Sequence, residues 1–288
     1  MMSKLGILFM RLIAHWPLAW VRGLGTVLGV LLWWLVWPRR KVVLANFALC
    51  FPQWSAPERK RVARQVFILV AQSWLDRGWL WHGDPDLVRR RLVVAGALDE
   101  LAGNAPTILF APHFVGLDAG LTALTQQMPR PFCGVYTNQS NQVLDAWILQ
   151  GRNRFGAVRA LRRSDGVREL VSALRAGDLM YLLPDMNFGP EESIFVPFYG
   201  IPAATVPSLS RFARLGRAKV VPIVTRLTPG GYEVQVLPAW GNFPTSDVTA
   251  DTARMNTELQ AYIDRMPAQY YWVHKRFKTR PPGQAGVY

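Results

Sequence analysis

Residues 107–118 have the sequence T-I-L-F-A-P-H-F-V-G-L-D, and this stretch decides the expected fold. The apolar run 107–111 predicts a buried strand, and the apolar spacing from 116 to 127 predicts a helix. His113 and Asp118 therefore lie just beyond the carboxyl end of a strand and on the first turn of the helix that follows. Reactive groups in open α/β sheets collect at this edge, so both residues are candidates for chemistry.

Strands and helices alternate through the remainder of the chain. Four more strands are predicted, at 132–136, 178–183, 220–227 and 232–237, and four more helices, at 142–154, 167–176, 205–215 and 255–266. This alternation predicts an α/β fold in which a mostly parallel or mixed sheet is flanked by helices. The segment Pro229-Gly230-Gly231 predicts one late hairpin between the last two strands.

The N-terminal segment is apolar and rich in tryptophan. Between residues 12 and 37 Arg22 is the only full charge, and the segment 38–41 that follows is Pro-Arg-Arg-Lys. Indole rings beside a basic cluster favour a membrane interface, so residues 1–38 are predicted to form a hydrophobic membrane-anchor helix. The uncharged stretch 23–37 would extend only about 22 Å as a helix, which leaves a tilted span and a half-inserted anchor both open. A buried core helix and a cleaved signal peptide are the remaining alternatives.

The rest of the chain is expected to hold a helical lead-in at 39–91 and an α/β catalytic core at 92–288. Ser55 and Glu58 form a capping-box pattern at the start of a helix expected to run to about residue 81. Basic residues flank both sides of the apolar stretch and, by the positive-inside rule, favour a core on the cytoplasmic face of the membrane.

The chain carries a formal net charge of +14, with a pI near 10.4. A charge of this size indicates an anionic partner: nucleic acid, anionic lipid or an acidic carrier protein. No nucleic-acid motif is present, so nucleic acid is not expected. Four scattered histidines and two cysteines predict neither a metal site nor a disulfide framework, and no nucleotide-binding loop or G-x-S-x-G elbow occurs. No cofactor is therefore expected.

The spacing of His113 and Asp118 fits a base and its orienting acid. From the first helical turn, the Asp118 carboxylate could hold one imidazole nitrogen protonated and leave the other as a general base. The same spacing also fits a structural histidine near a helix acid. Spacing alone does not choose between them, because about one chain in four of this composition contains such a pair by chance.

Further segments resemble a known family. H-x-x-x-x-D after a strand resembles the first motif of the glycerolipid-type acyltransferases. Five blocks resemble one branch of them, the bacterial lipid A biosynthesis acyltransferases that add lauroyl or myristoyl chains. In chain order these blocks are N-F-A-L-C-F-P (46–52), G-R-N-R-F-G (151–156), L-L-P-D-M-N-F-G-P (182–190), F-V-P-F-Y-G-I-P-A-A-T (195–205) and the ending Q-Y-Y-W-V-H-K-R-F-K-T-R-P-P-G (269–283). The resemblance covers nearly the whole chain.

The resemblance implies an enzyme of the bacterial inner membrane. It would move a fatty acyl chain from acyl carrier protein to a hydroxyl of an anionic glycolipid, a lipid A precursor, with His113 as general base and Asp118 as its partner. Many members of the branch carry glutamate where Asp118 stands. Another glycolipid or phospholipid acceptor is an alternative, and a basic, membrane-tethered binding protein is a non-enzymatic one.

Four more residues are candidate substrate contacts within the resembling blocks. Arg152 and Arg154 carry guanidinium groups that suit phosphate or carboxylate, with a surface position as the alternative for each. Asp185 follows the strand predicted at 178–183 and either positions substrate or stabilises a turn. Asn187 stands where many relatives have an acid. The apolar run 195–199 either lines the acyl groove or packs in the core.

Overall fold

A computed structural model describes residues 2–162 and 166–288. The chain begins with five helices that precede the sheet: α1 (Met2–Ile13), α2 (Leu18–Leu35), α3 (Trp37–Cys50), α4 (Ala56–His82) and α5 (Pro85–Arg91). Helix α4 begins where the capping pattern predicts, because the Ser55 hydroxyl accepts a hydrogen bond of 3.3 Å from the backbone N–H of Glu58.

A seven-stranded sheet forms the centre of the molecule. Its strands are β1 (Leu92–Gly96), β2 (Thr107–Phe110), β3 (Phe132–Tyr136), β4 (Val158–Arg162), β5 (Leu179–Leu182), β8 (Lys219–Thr228) and β9 (Gly231–Val236). They lie in the order β1-β9-β8-β2-β5-β3-β4. Neighbouring strands are parallel except β8 and β9, which form the predicted antiparallel hairpin. The sheet confirms the predicted α/β class.

Helices cover both faces of this sheet, and a small hairpin lies apart from it. The helices are α6 (Leu117–Gln127), α7 (Gln142–Arg152), α8 (Val167–Arg175), α9 (Ser208–Gly216) and α10 (Val248–Arg265). The hairpin pairs β6 (Ile194–Phe198) with β7 (Ile201–Thr205) in antiparallel register. Because helices cover both faces of the sheet, all four residues of β2 are buried. Ile108 and Phe110 belong to the hydrophobic cluster on one side, and Leu109 to that on the other.

Helix α2 packs tightly against α4. A Cβ added to Gly29 would lie 2.4 Å from the Cα of Ile68, so only glycine allows the two backbones to approach this closely. About two turns away, Arg22 makes an ion pair of 2.9 Å with Asp76, which is fully buried. The single charge of the apolar segment therefore points into the protein, and α2 rests on the helical lead-in.

The other faces of α1 and α2 are apolar and exposed. By length and composition α2 could cross a membrane, and 22% of it is buried inside the protein. The exposed large apolar side chains on the two helices are Met2, Leu5, Leu8, Phe9, Leu12, Trp20, Val27, Leu31, Trp34 and Leu35. Exposed apolar surface of this extent is typical of a membrane or protein contact.

Candidate active site

Two neighbouring strands bring His113 and Asp185 together. Strands β2 and β5 are parallel partners with Phe110 opposite Leu182, and each candidate residue stands three positions beyond its strand's last residue. The Nδ1 atom of His113 lies 2.8 Å from Oδ1 of Asp185. The backbone N–H of His113 donates to Oδ2 of the same carboxylate at 3.0 Å. The predicted position of both residues at this sheet edge is confirmed.

The Asp185 carboxylate is fully buried and is held by several donors. The Tyr270 hydroxyl donates to its Oδ2 atom at 3.0 Å. Burial by itself raises the pKa of Asp185, but His113 and these hydrogen bonds outweigh burial and hold it below its usual value. An ionised carboxylate can only accept, so in the neutral imidazole of His113 the proton sits on Nδ1 and Nε2 carries the lone pair.

Asp118 does not take the predicted place beside the imidazole. Its Oδ2 atom accepts from Nε of Arg77 at 2.7 Å, and its Oδ1 atom accepts from Nε of Arg152 at 2.9 Å. The structure therefore corrects the expected Asp118–His113 contact, because Asp118 joins α6 to α4 and α7 while Asp185 contacts the imidazole. Burial raises the pKa of Asp118, but the charges of Arg152 and Arg77 outweigh it and lower the pKa to about 2.

A cavity of about 460 Å³, here called the His113 cavity, lies over this sheet edge. The Nε–H group of Arg152 donates to Asp118. Within residues 2–162 and 166–288, its two terminal amino groups make no hydrogen bond. Its side chain is 29% exposed. One ligand in this cavity could therefore contact both the imidazole of His113 and the terminal amino groups of Arg152. Its polar lining consists mainly of Arg77, His113, Asp118, Tyr136, Arg152 and Tyr181.

Arg154 and Asn187 have structural contacts away from this cavity. The guanidinium of Arg154 donates to the carbonyls of Leu80 and Gly83, at the C-terminal end of α4. The Asn187 side chain accepts from the Thr279 hydroxyl at 3.0 Å. Of the two arginines in the block 151–156, Arg152 is therefore the one that lines the same cavity as His113.

Sequence reasoning missed Arg77 and Tyr270. Arg77 lies within α4 without any local pattern that marks it, because its partner Asp118 is brought close only by the packing of α4 on α6. Tyr270 belongs to the block 269–283 that resembles the family, so a signal for it was present although no role was assigned. Most of the apolar run 195–199 lies on β6, where Val196 and Phe198 are buried and Phe198 belongs to a hydrophobic cluster.

A second cavity of about 310 Å³, here called the side cavity, adjoins the His113 cavity. Both cavities are lined by Val135, Thr137, Leu182, Leu183 and Phe188. Beyond these shared residues the side cavity extends between α8 and α9 toward Leu170 and Leu215. Its lining is mostly apolar, which suits a hydrocarbon chain.

Comparison with known proteins decides the family. The sequence model described as bacterial lipid A biosynthesis acyltransferase matches residues 1–279. The chain belongs to the bacterial lipid A biosynthesis acyltransferase family. It is 31% identical to a lipid A biosynthesis lauroyltransferase of Escherichia coli K12, over 100% of this chain and 94% of that protein. It is 30% identical to a palmitoleoyltransferase of the same organism, over 92% and 87% of the two chains.

A solved structure is also similar to this lipid A biosynthesis acyltransferase. It is the 1-acyl-sn-glycerophosphate acyltransferase PlsC from Thermotoga maritima, with 12% identity and a TM-score of 0.40. The match covers 85% of this chain and 97% of that one.

Proposed function

We propose that this acyltransferase moves an acyl chain from the thioester of acyl carrier protein to a hydroxyl of a phosphorylated glucosamine lipid, a lipid A precursor. The observation that carries the proposal is the pairing of His113 with the buried Asp185, where His113 and Arg152 line the same cavity. Family membership supports the acceptor class.

His113 is the general base in the proposed reaction. Its Nε2 atom takes the proton of the acceptor hydroxyl while the hydroxyl oxygen attacks the thioester carbonyl carbon. Asp185 fixes the tautomer that makes this possible and stabilises the imidazolium that forms. The C–S bond then breaks, and the proton on Nε2 passes to the departing thiolate. Attack is direct, without an acyl-enzyme.

Arg152 stabilises the negative oxygen that develops on the carbonyl during attack. Its Nε–H bond to Asp118 fixes the guanidinium plane and leaves the terminal donors for the oxyanion. Asp118 thus acts through Arg152, as a positioning residue. This role differs from its expected contact with His113 and accounts for a carboxylate at the H-x-x-x-x-D position.

The side cavity receives the acyl chain of the donor. A chain whose carbonyl lies at His113 can enter between Leu183 and Val135, which line both cavities, and its methyl end can reach Leu215. The depth of this cavity would set the preferred chain length, because each further methylene buried contributes about 0.8 kcal/mol only while the cavity has room.

The exposed apolar faces of α1 and α2 attach the protein to the bacterial inner membrane, with the core on the cytoplasmic face. Trp20 and Trp34, both more than 60% exposed, are placed to sit at the lipid interface. The buried Arg22–Asp76 ion pair and the close approach at Gly29 keep one face of α2 on the protein, which favours a helix that is only partly inserted in lipid.

A direct assay tests the proposed function. The full-length protein in detergent would be incubated with lauroyl, myristoyl and palmitoleoyl acyl carrier protein and a tetra-acylated lipid A precursor. The masses of the products would be measured by mass spectrometry. We expect a gain of one acyl chain, linked as an ester. In a parallel assay with acyl coenzyme A as the donor, an equal rate of transfer would contradict the carrier-protein donor. Release of free fatty acid without acceptor acylation would contradict the transfer reaction.

A further inference from the structure

A basic cavity lies outside the site described above, between the start of α3 and the C-terminal segment. Its volume is about 860 Å³. Its lining includes four exposed cationic side chains and no acidic side chain: the cations are Arg39, Lys41, Lys275 and Lys278. Here it is called the basic cavity.

The positive charge of this cavity is not neutralised by neighbouring acids. Within residues 2–162 and 166–288, no ion pair involves any of its four cations. The contacts that they do make leave their charge intact. Arg39 donates to the carbonyl of Val273 at 3.1 Å, and the Lys41 ammonium lies 3.6 Å from the centre of the Trp37 ring. Such a site attracts a doubly charged anion such as a phosphate monoester.

The basic cavity lies at the level where lipid headgroups are expected. It begins at Trp37, directly after α2, whose final residues Trp34 and Leu35 are 63% and 76% exposed. If this end of α2 contacts lipid, then Arg39 and Lys41, which follow α2 in the chain, lie at the level of the lipid phosphate groups. An acidic protein in solution would not need this apolar neighbour, so a membrane lipid is the favoured occupant.

A fourth cavity adjoins the basic cavity and shares a lining residue with the His113 cavity. It has a volume of about 360 Å³ and a mostly apolar lining that includes Leu32, Phe67 and Val70. It shares Arg39 and His274 with the basic cavity, and it shares Tyr271 with the His113 cavity. The backbone N–H of Tyr271 donates to the carbonyl of His113 at 2.9 Å, so this wall is tied directly to the proposed base.

We infer that the basic cavity binds a phosphate group of the glycolipid acceptor, while the apolar cavity beside it receives an acyl chain of the same lipid. The inference rests on the proposed function for the identity of the acceptor. It adds the place where that lipid's phosphate binds. Lys275 and Lys278 are then residues that select phosphorylated lipids and take no part in the chemical step.

Vesicle binding tests the phosphate site independently of transfer. Full-length wild-type protein and the double variant Lys275→Gln/Lys278→Gln would be floated with neutral-lipid vesicles that carry the tetra-acylated precursor, either bisphosphorylated or with its phosphates removed. The matched control is Arg89→Gln/Arg90→Gln, which removes the same charge from exposed positions on α5. We expect wild type and control to prefer the phosphorylated vesicles by about tenfold or more, and the double variant to lose that preference. An unchanged preference in the double variant, or an equal loss in the control, would overturn the phosphate site.

Steady-state kinetics then test whether that lipid is the acceptor. The double variant should raise KM for the phosphorylated precursor by about tenfold and leave kcat within about twofold, because binding is lost equally from ground and transition states. KM for the dephosphorylated precursor should not change. A rise in KM for acyl carrier protein in place of the acceptor would mark the cavity as a carrier-protein surface and refute the inference. Absence of any transfer by wild type would refute the proposed function, and the vesicle result would still decide the phosphate site.

Discussion

Replacing Asp185 by asparagine should nearly stop catalysis while leaving the fold in place. The Asp185 carboxylate accepts from the His113 ring, from the His113 backbone and from the Tyr270 hydroxyl, so an amide of the same shape must turn its NH₂ group toward at least one donor. The imidazole then favours the tautomer that carries its proton on Nε2, which cannot act as base. Amide replacement at such an orienting acid lowers kcat by about 10⁴-fold, or about 5 kcal/mol in the transition state.

Asp118→Asn is the matched comparison, because the sequence alone assigned the orienting role to Asp118. Its carboxylate touches Arg77 and Arg152, so we expect a loss in kcat of about 10²-fold from a misplaced oxyanion donor, without a change in the His113 tautomer. The assay would pair single-turnover acyl transfer with ¹⁵N NMR of labelled imidazole in detergent micelles. If Asp118→Asn changed the tautomer and Asp185→Asn did not, the assignment of Asp185 as orienter would be refuted.

Three further outcomes are expected. Arg154→Gln should lower the unfolding midpoint, because two carbonyls at the end of α4 lose their donor, and should leave KM for the acceptor unchanged; a raised KM would place Arg154 at the substrate. Leu215→Trp should fill the far end of the side cavity and shift donor preference toward shorter acyl chains in a competition among carrier-protein donors; an unchanged preference would move the acyl chain elsewhere. Burial and the charge of Arg276 lower the pKa of His274 to about 4, so between pH 6.5 and 4 the unfolded chain binds a proton that the folded chain does not. The free energy of unfolding should therefore fall by about 3 kcal/mol as pH drops through that window, and urea titrations of His274→Gln should lose this slope.

The positions of the central strands and helices could be predicted, because apolar runs bounded by turn residues identify them locally. The pairing of His113 with Asp185 could not be predicted from the sequence. It depends on β2 and β5 being neighbours in the sheet, although about 70 residues separate the two side chains. The sequence alone predicts that Asp118 orients His113, because the two residues are close in the chain. Arg77 and Arg152, which are 41 and 34 residues away, are brought to it by helix packing.

The hairpin of β6 and β7 was missed for a different reason. Pro197 and Pro202 interrupt the pattern that predicts strands, since proline cannot donate to a strand ladder. In the structure these two prolines lie opposite each other, and the turn between the strands is made by Tyr199 and Gly200, both with positive φ. The predicted helix 205–215 begins at Ser208, because Thr205 completes β7.

The most direct measurement is the single-turnover rate of acyl transfer by His113→Ala, compared with wild type at saturating acyl carrier protein donor and lipid A precursor. Membrane sedimentation and the unfolding midpoint would be measured on the same preparations to show that the variant is folded. If Nε2 of His113 takes the hydroxyl proton, the rate falls by at least about 10³-fold. Transfer within about tenfold of wild type by a folded, membrane-bound variant would contradict the assignment of His113 as the base.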